Sequence, residues 1–206
     1  MHFIGLCFGN DWENNIIPYC ETEETDSYIE YTKLEAIQQA KRMHQKRYNY
    51  AKQQLEDNSY NIEFYQNILT KGNELSDEEA WEIAKTWEYE IDENDNLLSK
   101  YNPNAKWDWY QVGGRWANEL ILKERTVNGD LITTDQAEMS EIDWDCMFEQ
   151  KRIPFCFVTI EGEWLECGDV GLVDNKYDYD QWYEIFIDYI KTLKEDDLVT
   201  VIDFHI

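Results

Sequence analysis

The densest concentration of residues able to do chemistry lies between Trp107 and Trp116. Trp107, Trp109 and Trp116 can wall a pocket, and Asp108 and Tyr110 supply a carboxylate and a phenol. Gly113 and Gly114 allow positive φ or close approach of another backbone, and Arg115 offers a planar fork of five donors. Such a set can hold a phosphate, a carboxylate or a nucleobase. The competing assignment is structural: the Trp side chains fill a core, Gly113-Gly114 makes a bulge, and Arg115 pairs with an acid such as Asp108. The segment has neither the helix N-terminus nor the lysine of a phosphate loop.

Asp203 and His205 lie two apart in an apolar C-terminal run, so as strand residues they share a face, opposite to Ile202, Phe204 and Ile206. A carboxylate beside an imidazole sets the tautomer, as a general base or a metal ligand requires, and an ordinary polar pair at a strand end has the same signature. With three His in the chain and no partner for His205 nearby in sequence, no metal site and no cofactor are expected. The five Cys include no C-x-x-C, which fits reduced thiols, and their spacing marks none as a nucleophile. No zinc-protease, hydrolase-elbow or EF-hand motif is present.

Acidic side chains form a third group: Glu21, Glu23, Glu24 and Asp26; Asp92, Glu93 and Asp95; Asp174, Asp178 and Asp180; Glu195, Asp196 and Asp197. The chain carries 44 acidic against 18 basic residues, a net charge of -26. Such a surface confers solubility, and carboxylates arrayed on a rigid protein also imitate the field of a nucleic acid, which places one charge per ~1.7 Å of duplex axis. Direct binding to nucleic acid is disfavoured by repulsion. Residues 33–56 are the exception, with six basic side chains against two acidic ones, and this basic helix is expected to dock on an acidic face of the same molecule.

The elements that must position these residues follow from pattern. HFIGLCFG and LVTVIDFHI read as buried strands at the two ends of the chain, pairing at the centre of a sheet. Thr32-x-x-Glu35 and Ser76-x-x-Glu79 are capping boxes. The first opens a helix with the stripe Leu34, Ile37, Ala40, His44, Tyr48, Ala51 and Leu55; the second opens one presenting Ala80, Ala84, Trp87 and Ile91. Ser59 is placed as the cap of a shorter helix between them. Hairpins are expected at Asn128-Gly129 and Glu161-Gly162. Trp182, Ile185, Phe186, Tyr189, Ile190 and Leu193 define a core-facing helix over 180–193.

This order predicts an α+β fold with a mainly antiparallel sheet and helices on one face. The nearest pattern is ferredoxin-like, a single domain over 1–206 with an insertion lobe at about 95–150. Nine Trp and fourteen Tyr in 206 residues exclude a disordered acidic tail. No apolar run approaches the ~18 residues of a membrane span, and the first residues lack a signal-peptide pattern, so a cytoplasmic location is expected.

Asn102-Pro103-Asn104-Ala105-Lys106-Trp107-Asp108-Trp109-Tyr110 with Gly113-Gly114-Arg115-Trp116, the stretch from Gln136-Ala137 to Ile142-Asp143, and the closing Asp203-Phe204-His205-Ile206 together resemble an uncharacterised family. That family is encoded by phages, prophages and other mobile elements of low-GC Gram-positive bacteria. The resemblance spans both ends and the centre of the chain. It implies a mobile-element accessory role and carries no established activity. Members often close Asp-Cys-His-Ile, and Phe204 stands here in place of that Cys. Charge and implied context together lead to a non-enzymatic protein that inhibits a host nucleic-acid-handling or anti-phage defence complex through its basic surface. The alternative is a small-anion or nucleotide-binding protein or enzyme with its site at Trp107–Trp116, Asp203 and His205.

Overall fold

Both apolar ends of the chain become neighbouring central strands. The structure is a computed structural model that describes residues 1–57, 61–70, 72–168 and 176–206, so Ser59 and Asp174 lie outside the described residues. From the N-terminus the elements are β1 (His2–Phe8), α1 (Trp12–Ile16), β2 (Tyr28–Tyr31), α2 (Lys33–Glu56), α3 (Ile62–Thr70) and α4 (Asp77–Ala84). Next come β3 (Glu90–Ile91), β4 (Leu97–Ser99), β5 (Trp109–Val112), β6 (Leu120–Arg125), β7 (Leu131–Thr134) and β8 (Gln136–Glu138). The last are α5 (Trp144–Glu149), β9 (Cys156–Val158), β10 (Trp164–Glu166), α6 (Tyr179–Ile190) and β11 (Leu198–His205).

The chain divides into two units, residues 1–24 with 101–206, and residues 25–100. The inserted unit is thus 25–100, whereas 101–150, expected as the insertion, supplies β5 and β8 to the sheet formed by the chain ends. That sheet has the order β10-β9-β1-β11-β5, with β8 also on β11. β1 and β11 pair antiparallel over their whole lengths, from His2 opposite His205 to Phe8 opposite Val199. The other ladders are antiparallel except β1 with β9. In a ferredoxin-like sheet the second hairpin strand would lie beside β1, antiparallel. Here the first strand, β9, takes that place, and the long connection from β1 allows the parallel direction.

Alternation along β1 and β11 gives the sheet two apolar faces. Leu6, Phe8, Val199 and Val201 pack with Phe157 against Trp182, Phe186 and Ile190 of α6. Phe3, Cys7, Ile202 and Phe204 pack on the other side with Val158 and with Trp12 and Ile16 of α1. α6 therefore covers one face and the short α1 the other, so helices lie on both faces of this sheet rather than on one as expected. Phe8, Phe157 and Phe186 are fully buried, and each such ring contributes about 1.5–3 kcal/mol by leaving water.

In the inserted unit both capping boxes form, at Thr32 with Glu35 and at Ser76 with Glu79. α2 packs on α3 and α4. Its fully buried positions are Ala36, Ala40 and Ala51, and Ile37, His44, Tyr48 and Leu55 are half-buried, so the inward stripe is the expected one except at its start, where Ala36 is buried and Leu34 is 64% exposed. Small side chains let helix backbones approach closely, so Ala80 and Ala84 of α4 are also buried. That helix stops at Ala84; Trp87 lies beyond it, edge-on to Tyr31, and Ile91 is exposed on β3. Lys33 pairs with Asp95 (2.7 Å) and Lys41 with Asp77 (2.5 Å), both within this unit. Among the described residues no helix is long and apolar enough to cross a membrane.

Candidate functional site

The first half of the Asn102–Trp116 segment is a clamp. Asn102, 3% exposed, donates from its amide to the carbonyls of Pro18 (2.7 Å) and Cys20 (2.9 Å), while its own oxygen accepts from the Asn104 N–H (2.9 Å). Trp107 is buried, and its indole N–H donates to the Ile16 carbonyl at 3.1 Å. Tyr110 packs edge-on to Trp107 and Trp12, and Trp116 packs against the core under α6. Three of the four aromatics in the motif therefore act in packing. Trp109 is the exception, 48% exposed.

The tandem glycines answer a steric demand. Gly113 and Gly114 adopt φ of +68° and +52°, opening a 3-10 turn, Gly114–Trp116. A Cβ on Gly113 would stand 2.3 Å from a carboxylate oxygen of Asp135, and one on Gly114 2.4 Å from Cβ of Asp203. The turn wraps these two acids: the Arg115 N–H donates to Oδ2 of Asp203 (3.0 Å), and the Asn118 N–H donates to Asp135. Arg115 does not pair with Asp108. Its guanidinium is exposed and makes no hydrogen bond or ion pair with a described residue.

Asp203 and His205 share a face, as strand parity requires, but they do not pair with each other. Asp203, 2% exposed, accepts at Oδ1 from Nδ1 of His2 (2.8 Å), since an ionised carboxylate can only accept. His205 donates from Nδ1 to Asp108 (2.7 Å). The two imidazoles meet edge to face with centroids 4.7 Å apart. Register explains the assembly: His2 lies opposite His205, and His205 opposite Trp109, so β1, β11 and β5 present a lateral row of two imidazoles and one indole. Both Nδ1 atoms are committed to carboxylates, which fixes ring orientation. Nε2 of His205 lies 3.3 Å from the Met1 nitrogen, and Nε2 of His2 has no hydrogen-bond partner among the described residues.

Sequence reasoning singled out Trp107–Trp116, Asp203 and His205, and the structure brings Asp108, Trp109, Arg115, Asp203 and His205 together around the end of β11. It missed His2 and Asp135. His2 was within reach, because two terminal strands paired antiparallel at the sheet centre set residue 2 against residue 205. Asp135 gave no local signal, since its importance lies in the turn that folds over it.

Cys7 and Cys156 are fully buried, and desolvation pushes both thiols far above the ordinary range, which keeps them protonated and poorly nucleophilic. Among the described residues no three His, Cys, Asp or Glu side chains converge on a point where a metal ion would sit.

Several acids named from sequence have structural duties. Asp92 accepts from the N–H groups of Asn94 (2.9 Å) and Asn96 (2.7 Å), which draws its carboxyl below the usual range. Asp178 caps α6, Asp197 accepts from the Lys194 N–H, and Asp95 takes the ion pair with Lys33. Glu21 is half-buried; Glu23, Glu24, Asp26, Glu93, Asp180, Glu195 and Asp196 are exposed and form no ion pair among the described residues.

The fold places the chain in a class, the α+β proteins in which a mainly antiparallel sheet pairs the two ends of the chain at its centre. Compared with protein-family models, with curated proteins and with solved structures, the chain matches none of them.

Proposed function

We propose that this chain is a non-enzymatic interaction protein of a phage or other mobile element. It acts in the cytoplasm of the bacterial host, where it binds the basic surface of a nucleic-acid-handling or anti-phage defence complex and inhibits it, its carboxylates standing for phosphates. The observation that supports this reading is the partition of charge. Residues 1–24 and 101–206 hold 28 acidic against 9 basic side chains, a net -19, whereas residues 25–100 hold 16 against 9, a net -7. The unit built on the terminal strands therefore carries most of the field. Carboxylates fixed on a folded surface steer a basic partner and raise its association rate by roughly 10- to 1000-fold.

The test is affinity capture from nuclease-treated host lysate at two salt concentrations, beside a variant carrying Glu23→Gln, Glu24→Gln, Glu195→Gln and Asp196→Asn. A stoichiometric nucleic-acid-binding partner is expected at low salt. Its capture should weaken at high salt, where screening shortens the reach of surface charge to a few ångströms, and in the neutralised variant. Capture of no partner, together with equal phage survival for both proteins, would overturn the proposal.

A further inference from the structure

We infer that the row Trp109–His205–His2, with Arg115 beside it, is a binding site for a small phosphorylated aromatic ligand, of which a nucleoside monophosphate is the smallest example that uses every part. This site is separate from partner binding by the acidic surface, and either can fail without the other.

Three groups at the end of β11 are held in place but not used up. His2 is fixed through Nδ1 by the buried Asp203 and keeps Nε2 without a hydrogen-bond partner among the described residues. Arg115 is anchored by its backbone N–H to the same carboxylate (3.0 Å), so its Cα stays beside the row while its guanidinium remains unpaired among the described residues. Trp109 lies opposite His205 in register and leaves 48% of its surface in solvent. Each group calls for a different part of one ligand. An exposed indole takes a planar ring by stacking, a free guanidinium takes a bidentate oxyanion, and Nε2 of an imidazole that donates from Nδ1 accepts a hydrogen bond from a protonated phosphate oxygen.

The same protein selects against a polymer. A unit of net -19 repels a strand carrying a phosphate at every step, whereas a single phosphate meets that field once and is paired by the Arg115 guanidinium. The carboxylates behind the rings orient them, because an imidazole with an acid on Nδ1 keeps Nε2 aimed at what approaches.

Imidazole nitrogen NMR suits the test, because the chain has three His and the third, His44, is hydrogen-bonded to Gly72 in the other unit and serves as an internal reference. AMP, GMP, CMP and UMP are titrated separately, with adenosine and inorganic phosphate as partial ligands. Saturable shifts at His2 and His205 are expected with at least one nucleotide, with His44 unmoved. Adenosine and phosphate should each bind roughly tenfold or more weakly, as loss of an ion pair or of stacking implies. Arg115→Ala should abolish the shifts at unchanged melting temperature. Trp109→Phe, which keeps a ring on the strand, should retain binding that Trp109→Ala loses. An unmoved His2 signal with all four nucleotides overturns the inference, and so does inorganic phosphate binding as tightly as any nucleotide.

Discussion

Nδ1 of His2 lies 2.8 Å from Oδ1 of Asp203, a contact made across 201 residues of chain. It exists because β1 and β11 are adjacent and in register, so that positions 2 and 203 reach the same face of the sheet one row apart. The same carboxylate accepts the Arg115 N–H on its other oxygen and thereby ties three segments together.

Replacing Asp203 and Asp108 should separate burial from pairing. Both hold an imidazole, but Asp203 is 2% exposed and Asp108 33%. Asp203→Asn should cost about 1–3 kcal/mol, because a buried charge-assisted network is broken. Asp108→Asn should cost under about 1 kcal/mol, as exposed pairs do. Urea unfolding of the two variants checks the order, and equal losses would contradict it.

Gly114→Ala combines a φ of +52° with a Cβ placed 2.4 Å from Asp203. A destabilisation of about 2 kcal/mol or more is expected. Gly129→Ala is the matched control: its φ is +85°, but nothing lies within 4 Å, so only backbone strain of about 1 kcal/mol should appear. Thermal or urea unfolding of both variants gives the comparison.

Asn102→Ala removes the side chain that serves two carbonyls and one N–H between Pro18 and Asn104. Unsatisfied buried polar groups cost about 1–3 kcal/mol, and Asn102→Asp, which keeps the acceptor but sets a buried carboxylate oxygen against the Pro18 and Cys20 carbonyls, should lose at least as much. Denaturant midpoints with unchanged slope would show that the effect is on the folded state.

The inserted unit should lose stability in acid. Hydrogen bonds from Thr32 draw the Glu35 carboxyl below its ordinary 4.5, those from Ser76 do the same for Glu79, and those from Asn96 and Asn94 lower Asp92. A carboxyl lowered by folding stabilises fully above its unfolded value. That contribution is lost as pH falls through the lower folded value. Helical circular dichroism should therefore melt at lower temperature below about pH 4 than at pH 7. Glu35→Gln with Glu79→Gln, which keeps a capping acceptor but cannot ionise, should flatten the profile.

Local pattern was legible where one segment carries its own reason. Both capping boxes, the hairpins at Asn128-Gly129 and Glu161-Gly162, and α6 appear where spacing and turn chemistry put them. The stripe of α2 was legible from Ile37 to Leu55 and misread only in the first turn, where Ala36 rather than Leu34 is buried, because only the packing of α2 on its neighbours selects between them.

The sequence by itself determined the α+β class, the central place of the two terminal strands, the acidic field and the presence of an unusual Trp-Gly-Gly-Arg segment, since each depends on composition or on spacing within a few residues. Only the tertiary structure decided that 25–100 is the inserted unit, that Gly113 and Gly114 make room for Asp135 and Asp203, and that His2 faces His205. These depend on register and on close approach between segments far apart in the chain. Side-chain period constrains which face a residue occupies, but not which distant carboxylate it meets there.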